Sequence, residues 1–272
     1  MIPAAFEYVR ADSADAALAA LAEHGDDAKL LAGGMSLIPL MKLRLATPTV
    51  LVDVARLTDL SYVRDAGDHV AIGALTRHRD LETSALLAEA CPALRGVAAE
   101  VGDNQVRHRG TLGGSVAHGD PASDLPAALL ALDATFVVRG PGGERTVAAE
   151  HFFQGFLETA LAPDELLTEI RVPKATGGWN YQKFNRRAQD WAIVGALVVN
   201  NGSTRVALVN MAGTPLRARS VEEALAGGAS VTDAAALAAE GTDAPADLNA
   251  SPEYREHLAR VLVRRALEAA GA

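Results

Sequence analysis

The 272 residues contain one cysteine, Cys91, and that shortage excludes several chemistries at once. A lone thiol forms no internal disulfide, and it cannot ligate an iron–sulfur cluster, which takes about four thiolates. No His/Cys spacing resembles a zinc site. Any redox centre is therefore organic or belongs to another chain. Positive charge is also scarce: 25 Lys and Arg face 34 Asp and Glu, a net charge of −9 with histidines neutral, which argues against a nucleic-acid partner. The longest near-apolar stretch, Leu125 to Val138, is broken by Pro126 and Asp133. A membrane helix needs roughly 18 uninterrupted apolar residues, so no span is expected. The opening MIPAAFEYVRADS has no basic start followed by an apolar stretch, and the expected location is cytoplasmic. Neither G-x-G-x-x-G after a strand nor G-x-x-x-x-G-K-[ST] occurs, which leaves the two common nucleotide cradles unsupported.

What is present reads as an α+β chain. Ser13 is placed to cap a helix over 14–24, stopped by Gly25. The stretch Lys29-Leu30-Leu31, a glycine loop, LIPLMKLRL and the strand Val50 to Val54 suggest a small parallel unit. Tyr62 to Arg64 and His69 to Ile72 flank the turn Asp65-Ala-Gly-Asp68 as a hairpin. A helix is expected from Thr76 to about Ala90, a second over Leu94 to Val101, then a glycine-rich connection from Gly110 to Pro121. Strands follow at 134–139 and 145–148 around Pro141-Gly-Gly, and at Leu166 to Val172. The segment Lys174 to Gly178 is the best boundary, dividing residues 1–175 from 176–272. Beyond it come a strand from Trp179 to Arg186 and the pair Ala192 to Asn200 and Thr204 to Asn210 across Asn201-Gly202. Three helical segments end the chain, capped by Ser220, starting at Val231, and opened by Ser251-Pro252. The small-residue tract from Ala226 to Ala250 reads as mobile surface.

Two segments share a Gly-Gly pair with a nearby serine: Ala32-Gly33-Gly34-Met35-Ser36 and Leu112-Gly113-Gly114-Ser115. Paired glycines let a backbone approach a ligand and turn successive N–H groups toward one concavity, which suits a phosphate. Ser36, Thr111 and Ser115 add hydroxyl donors. Ser115, His118, Asp120 and Asp124 include the residue types of a hydrolase triad, but no G-x-S-x-G elbow accompanies them. Cys91, beside Pro92, reads as a small buried hydrophobe.

AGGMSLIPLMKLR at 32–44, QVRHRGTLGGSVAHGDPASDLP at 105–126 and YQKFNRRAQDW at 181–191 together resemble the FAD-binding medium subunit of the molybdenum hydroxylases, above all the carbon monoxide dehydrogenase medium-chain type. The resemblance implies a PCMH-type flavin domain of two α/β subdomains, then a smaller C-terminal domain with a three-stranded antiparallel sheet and helices. It implies FAD as the cofactor, with its pyrophosphate wrapped by Lys29, Leu30, Leu31, Ala32, Gly33, Gly34, Met35, Ser36 and Leu37 and by Thr111, Leu112, Gly113, Gly114 and Ser115, and Ala117 as a further cofactor-binding residue. Asp124, Leu167 and Lys183 match cofactor contacts, Val101 a residue near the flavin ring, and Trp191 a residue over it. Met35 stands where relatives commonly carry Gln or His. No residue is expected to act on the organic substrate. The partners implied are a small [2Fe–2S] subunit and a large molybdopterin subunit, as a dimer of heterotrimers, with a quinone, NAD⁺ or oxygen as external acceptor. Two alternatives are a self-contained flavin oxidoreductase of the same fold and a cofactor-free assembly module whose glycine loops are only turns.

Overall fold

A parallel pair of strands needs a crossover, and here helices supply it. In the computed structural model, which describes residues 1–272, β1 (Glu7–Arg10), α1 (Ala14–His24), β2 (Ala28–Leu31), α2 (Leu37–Lys42) and β3 (Val50–Asp53) follow in turn. The strands form a parallel sheet in the order β1-β3-β2. Ser13 caps α1 by accepting the Ala16 N–H at 3.1 Å, and Gly25 ends it at φ 52°. The small parallel unit is as expected; β1, too short and exposed to show a buried face, was not foreseen.

The second unit holds β4 (Val63–Asp65), β5 (His69–Gly73), α3 (His78–Thr83), α4 (Ala85–Ala90), α5 (Pro92–Ala99), α6 (Asn104–Arg109), α7 (Leu112–His118), α8 (Asp124–Ala131), β6 (Thr135–Gly140), β7 (Gly143–Ala148), α9 (Ala149–Phe152), β8 (Phe153–Gly155), β9 (Glu158–Thr159) and β10 (Leu166–Pro173). Its five-stranded antiparallel sheet runs β4-β5-β10-β6-β7. Two expectations need correction. The single helix from Thr76 to Ala90 is two, because Ser84 takes an extended conformation and caps α4 through the Leu87 N–H at 3.2 Å. Thr76 starts neither, since its hydroxyl is bound to the main chain of Tyr62. The connection from Gly110 to Pro121 contains a helix, α7, because Thr111 accepts the Gly114 N–H at 3.1 Å and nucleates a turn that glycine alone disfavours.

The C-terminal unit comprises β11 (Gly178–Phe184), β12 (Val194–Asn200), β13 (Thr204–Val209), β14 (Leu216–Arg217), α10 (Arg219–Ala226), α11 (Val231–Ala236) and α12 (Pro252–Ala270). Its sheet has four strands, β11-β12-β13-β14, rather than three, β14 adding a two-residue rung. Helix α10 begins before Ser220, at Arg219, without a side-chain cap. Residues alternate between two buried layers: Leu197, Val199, Ala207 and Val209 join the core built on α5 and α8, while Ala196, Val198, Val206 and Leu208 join the core under α12. The tract from Ala226 to Ala250 is not mobile surface. Ala234, Ala235, Ala238 and Ala250 are buried in that second core, where small side chains let helices approach closely. No helix is long and apolar enough to cross a membrane.

Candidate functional site

The β2–α2 loop, the start of α7, the first turn of α8, the β8–β9 hairpin, the start of β10 and the segment from Lys183 to Trp191 surround one cleft of about 670 Å³. Of the residues expected at a cofactor, Lys29, Leu30, Ala32, Gly33, Gly34, Met35, Ser36, Leu37, Val101, Thr111, Gly113, Gly114, Ser115, Ala117, Asp124, Leu167, Lys183 and Trp191 all line it. Leu31 and Leu112 do not. Leu31 closes β2 with its carbonyl engaged by the Val54 N–H, and the Leu112 side chain is fully buried in the core.

The two glycine loops, alike in sequence, differ in what they offer. No backbone N–H from Ala32 through Leu37 finds an acceptor within the chain. Such a run of free donors is an anion-binding nest. Gly33 has to be glycine because a Cβ there would lie 2.3 Å from the Arg109 carbonyl oxygen, and Gly34 turns at φ +75°. The second loop has already spent its donors. The Leu112 N–H goes to Thr76 O, Gly113 N–H to Ala74 O at 2.8 Å, Gly114 N–H to Thr111 Oγ1 and Ser115 N–H to Thr111 O. Gly113 instead lets α7 press on Ala74, whose Cβ would stand 2.5 Å from a Cβ at Gly113. Ser36, Thr111 and Ser115 add hydroxyls to the cleft wall. The first loop therefore keeps free N–H donors toward the cleft, whereas those of the second are engaged within the chain.

On the cleft floor Lys183, on β11, meets Asp124, the first residue of α8. Lys183 Nζ lies 2.8 Å from Asp124 Oδ2 and donates to Glu100 O at 2.9 Å; both side chains are only 7% exposed. Tyr181, two residues earlier on the same strand face, donates to Asp124 Oδ1 at 2.5 Å. Burial pushes the Asp124 carboxyl up, and Lys183 and Tyr181 pull it only part of the way back. Burial and the neighbouring carboxylate hold the Tyr181 phenol well above its usual range, so it remains a donor. The α8 N-terminus adds a favourable dipole for the carboxylate.

The sequence reading missed Tyr181 and His78. Tyr181 sat in a recognised motif, and its i, i+2 spacing from Lys183 on a strand was the available signal. His78 lines the cleft beside Gly110, with no hydrogen bond to either ring nitrogen, and burial drops its pKa to about 4. Only the fold brings it there. His118, at the end of α7, also lines the cleft, its pKa lowered by burial. At the rim, Trp191 is 57% exposed, and Arg186 lies 4.0 Å from Asp190 across the loop before it.

Residues 4–175 match the FAD binding domain in molybdopterin dehydrogenase, and residues 179–270 match the CO dehydrogenase flavoprotein C-terminal domain. The chain belongs to the FAD subunits of the molybdenum hydroxylases. It is 44% identical to a carbon monoxide dehydrogenase medium chain from Hydrogenophaga pseudoflava, over 100% of this chain and 99% of that one. The solved structure of that organism's carbon monoxide dehydrogenase lacking the Mo-pyranopterin moiety of the molybdenum cofactor matches with a TM-score of 0.96 at 44% identity, covering 100% of this chain and 99% of the other. Quinoline 2-oxidoreductase from Pseudomonas putida 86 matches at 0.93 and 30% identity, covering 100% and 99%. The chain is thus an FAD-binding component of an oxidoreductase, and the reading of it as a cofactor-free module is set aside. The cleft suits that cofactor: free N–H donors for phosphates, and Leu30, Val101, Leu161 and Leu167 as apolar wall for ring systems.

Proposed function

We propose that this chain is the electron-transfer subunit of a heterotrimeric molybdenum hydroxylase, placed between the [2Fe–2S] clusters of a small partner subunit and an external acceptor, a quinone, NAD⁺ or oxygen. Substrate is oxidised on a large molybdopterin subunit, and the assembly is a cytoplasmic dimer of heterotrimers. The observation that carries the reading is the nest of free N–H groups from Ala32 to Leu37, set in the same cleft as a buried lysine–carboxylate pair. A lone cysteine supports placing the clusters on another chain.

Bound FAD would supply the junction between one-electron and two-electron carriers. The chain's own residues bind and orient it. Lys29, Leu30 and the loop to Leu37 would hold the pyrophosphate, Thr111 and Ser115 would add hydroxyls from the facing turn, and Gly113, Gly114 and Ala117 leave that wall room to lie close. Asp124 and Lys183 would contact the cofactor from the floor, Val101 and Leu167 would give its rings an apolar wall, and Trp191 stands at the rim where an acceptor would enter. The reading assigns no residue of this chain to act on the organic substrate. Relatives named for carbon monoxide and for quinoline share this fold at 44% and 30% identity, which supports a substrate choice made on another chain. The same reading divides the chain at 175/176, with the cofactor held mainly by the first part and covered by the second.

The test mixes the FAD-loaded chain with a reduced [2Fe–2S] partner and follows the visible flavin band. Bleaching that reverses on adding one of the three acceptors is the expected result. Bleaching by an organic substrate with no partner present would instead favour a self-contained oxidoreductase.

A further inference from the structure

Tyr181 contributes no atom to the cleft lining, yet its hydroxyl is the second ligand of the carboxylate on the cleft floor. Three features fix it there. Its ring packs against the large core of the N-terminal part, its strand register places it two residues from Lys183, and Lys183 pairs directly with Gly195 on β12. A Cβ at Gly195 would lie 2.8 Å from the Tyr181 hydroxyl and 3.0 Å from Val209 Cβ. The missing side chain at Gly195 is therefore the slot that admits the phenol oxygen.

The donor arithmetic at Lys183 gives this contact a purpose. An ammonium has three N–H groups; one goes to Asp124 Oδ2 and one to Glu100 O. The third has no acceptor within the chain, and Lys183 lines the cleft. Asp124 divides its oxygens in the same way, Oδ1 to Tyr181 and Oδ2 to Lys183. Without the phenol, both oxygens would compete for Lys183 and draw its ammonium toward the carboxylate.

We propose that Tyr181, seated in the slot at Gly195, is a positioning residue that holds Asp124 on one oxygen so that Lys183 keeps one N–H for the bound flavin. The proposal rests on the cofactor reading of Asp124 and Lys183. Reduction adds negative charge to the flavin, and a charged donor favours the reduced form. Loosening Lys183 from the cofactor therefore lowers the flavin's reduction potential while leaving the phosphate nest untouched.

The experiment measures FAD content and midpoint potential of the full chain loaded with FAD, as wild type, Tyr181→Phe, Gly195→Ala, Lys183→Gln and the double variant Tyr181→Phe/Lys183→Gln. All should retain FAD. Tyr181→Phe and Gly195→Ala should shift the potential downward alike, although one deletes the hydroxyl and the other only crowds it. Lys183→Gln should shift it further, and the double variant no further than Lys183→Gln alone. A normal potential in Tyr181→Phe, with a shifted one in Lys183→Gln, overturns the role of Tyr181 and leaves the cofactor contact standing. Additive shifts in the double variant also overturn it, since Tyr181 would then act independently of Lys183. An unshifted Lys183→Gln removes the contact itself and the proposal with it.

Discussion

Gly33 and Arg109 meet through main chain alone: a Cβ on Gly33 would stand 2.3 Å from the Arg109 carbonyl oxygen and 2.9 Å from Gly110 Cα. The loop of free N–H donors from Ala32 to Leu37 is thus braced against the end of α6, and its shape depends on that glycine. Gly33→Ala should lift the loop off its support and weaken FAD binding by roughly tenfold or more, about 1.4 kcal/mol. Gly202→Ala is the control, at φ +81° in open space; it should cost about 1 kcal/mol of stability and leave FAD affinity unchanged. Titration of the apoprotein with FAD, read by flavin fluorescence, distinguishes the two.

Removing the carboxylate at position 124 leaves the Lys183 ammonium, 7% exposed, without a counter-charge. Asp124→Ala should lower unfolding free energy by about 3–5 kcal/mol, read from urea transitions of the apoprotein. A loss below 1 kcal/mol would mean that water readily replaces the carboxylate and that the floor is not dry.

His78 makes stability depend on acid. Its folded-state pKa of about 4 lies below the ordinary 6.5 because burial disfavours the charged ring. The unfolded chain therefore takes up the proton first. The stability tied to the neutral ring is full above pH 6.5 and is lost as pH falls toward 4, amounting to about 2 kcal/mol between pH 7 and pH 5. His78→Leu should flatten the stability profile by that amount. Parallel profiles for wild type and variant would show that the ring is charged or paired in the folded chain.

Arg255 is fully buried, with Nη2 2.8 Å from Asp247 Oδ2 and its other amino group on the Ile193 carbonyl. Partial burial pushes the Asp247 carboxyl up, but the Asn249 and Ala250 N–H groups, with the Asn249 and Arg255 side chains, override it and hold it at about 2. Asp247→Ala should cost about 3 kcal/mol by stranding the guanidinium, and a differential scanning thermogram should show it. Since this carboxyl stays ionised well below the pH range of His78, the penalty should be nearly the same at pH 5 and pH 7.

The strands with clear turn chemistry were legible beforehand: Gly67, Gly143 and Gly202 all turn at positive φ between paired strands. Helices were legible where a capping serine preceded an apolar face, as at Ser13 and Ser251. Two of the misreadings share one cause, the competition between local hydrogen bonds and a longer pattern. Ser84 interrupted a helix that periodicity would continue, and Thr111 started one where glycines argued for a loop. The Ala226–Ala250 tract failed differently, because alanine carries no periodic signal strong enough to mark the buried positions that α12 requires.

The site was legible as composition and motif, and less so as function of each part. Both Gly-Gly pairs are visible in the sequence, but only the fold distinguishes donors left free at Ala32–Leu37 from donors consumed by Ala74, Thr76 and Thr111. His78 and Gly195 carried no sequence signal. One is a histidine at the start of a helix, the other a glycine in a strand, and each takes its meaning from a residue distant in the chain.

The β12–β13 layer, buried on both faces, bears on where the polypeptide can be cut. Although Lys174 to Gly178 reads as a boundary in the sequence, the Ala175 N–H donates to Ala90 O, and a Cβ at Gly177 or Gly178 would stand within 2.1 Å of the Asn200 or Ala270 carbonyl oxygen. A protease would find little slack there. A gene truncated at this point would express a fragment with the apolar surface of α5 and α8 bare, prone to aggregate, whereas two separately made fragments would rescue each other by reassembling around the shared sheet.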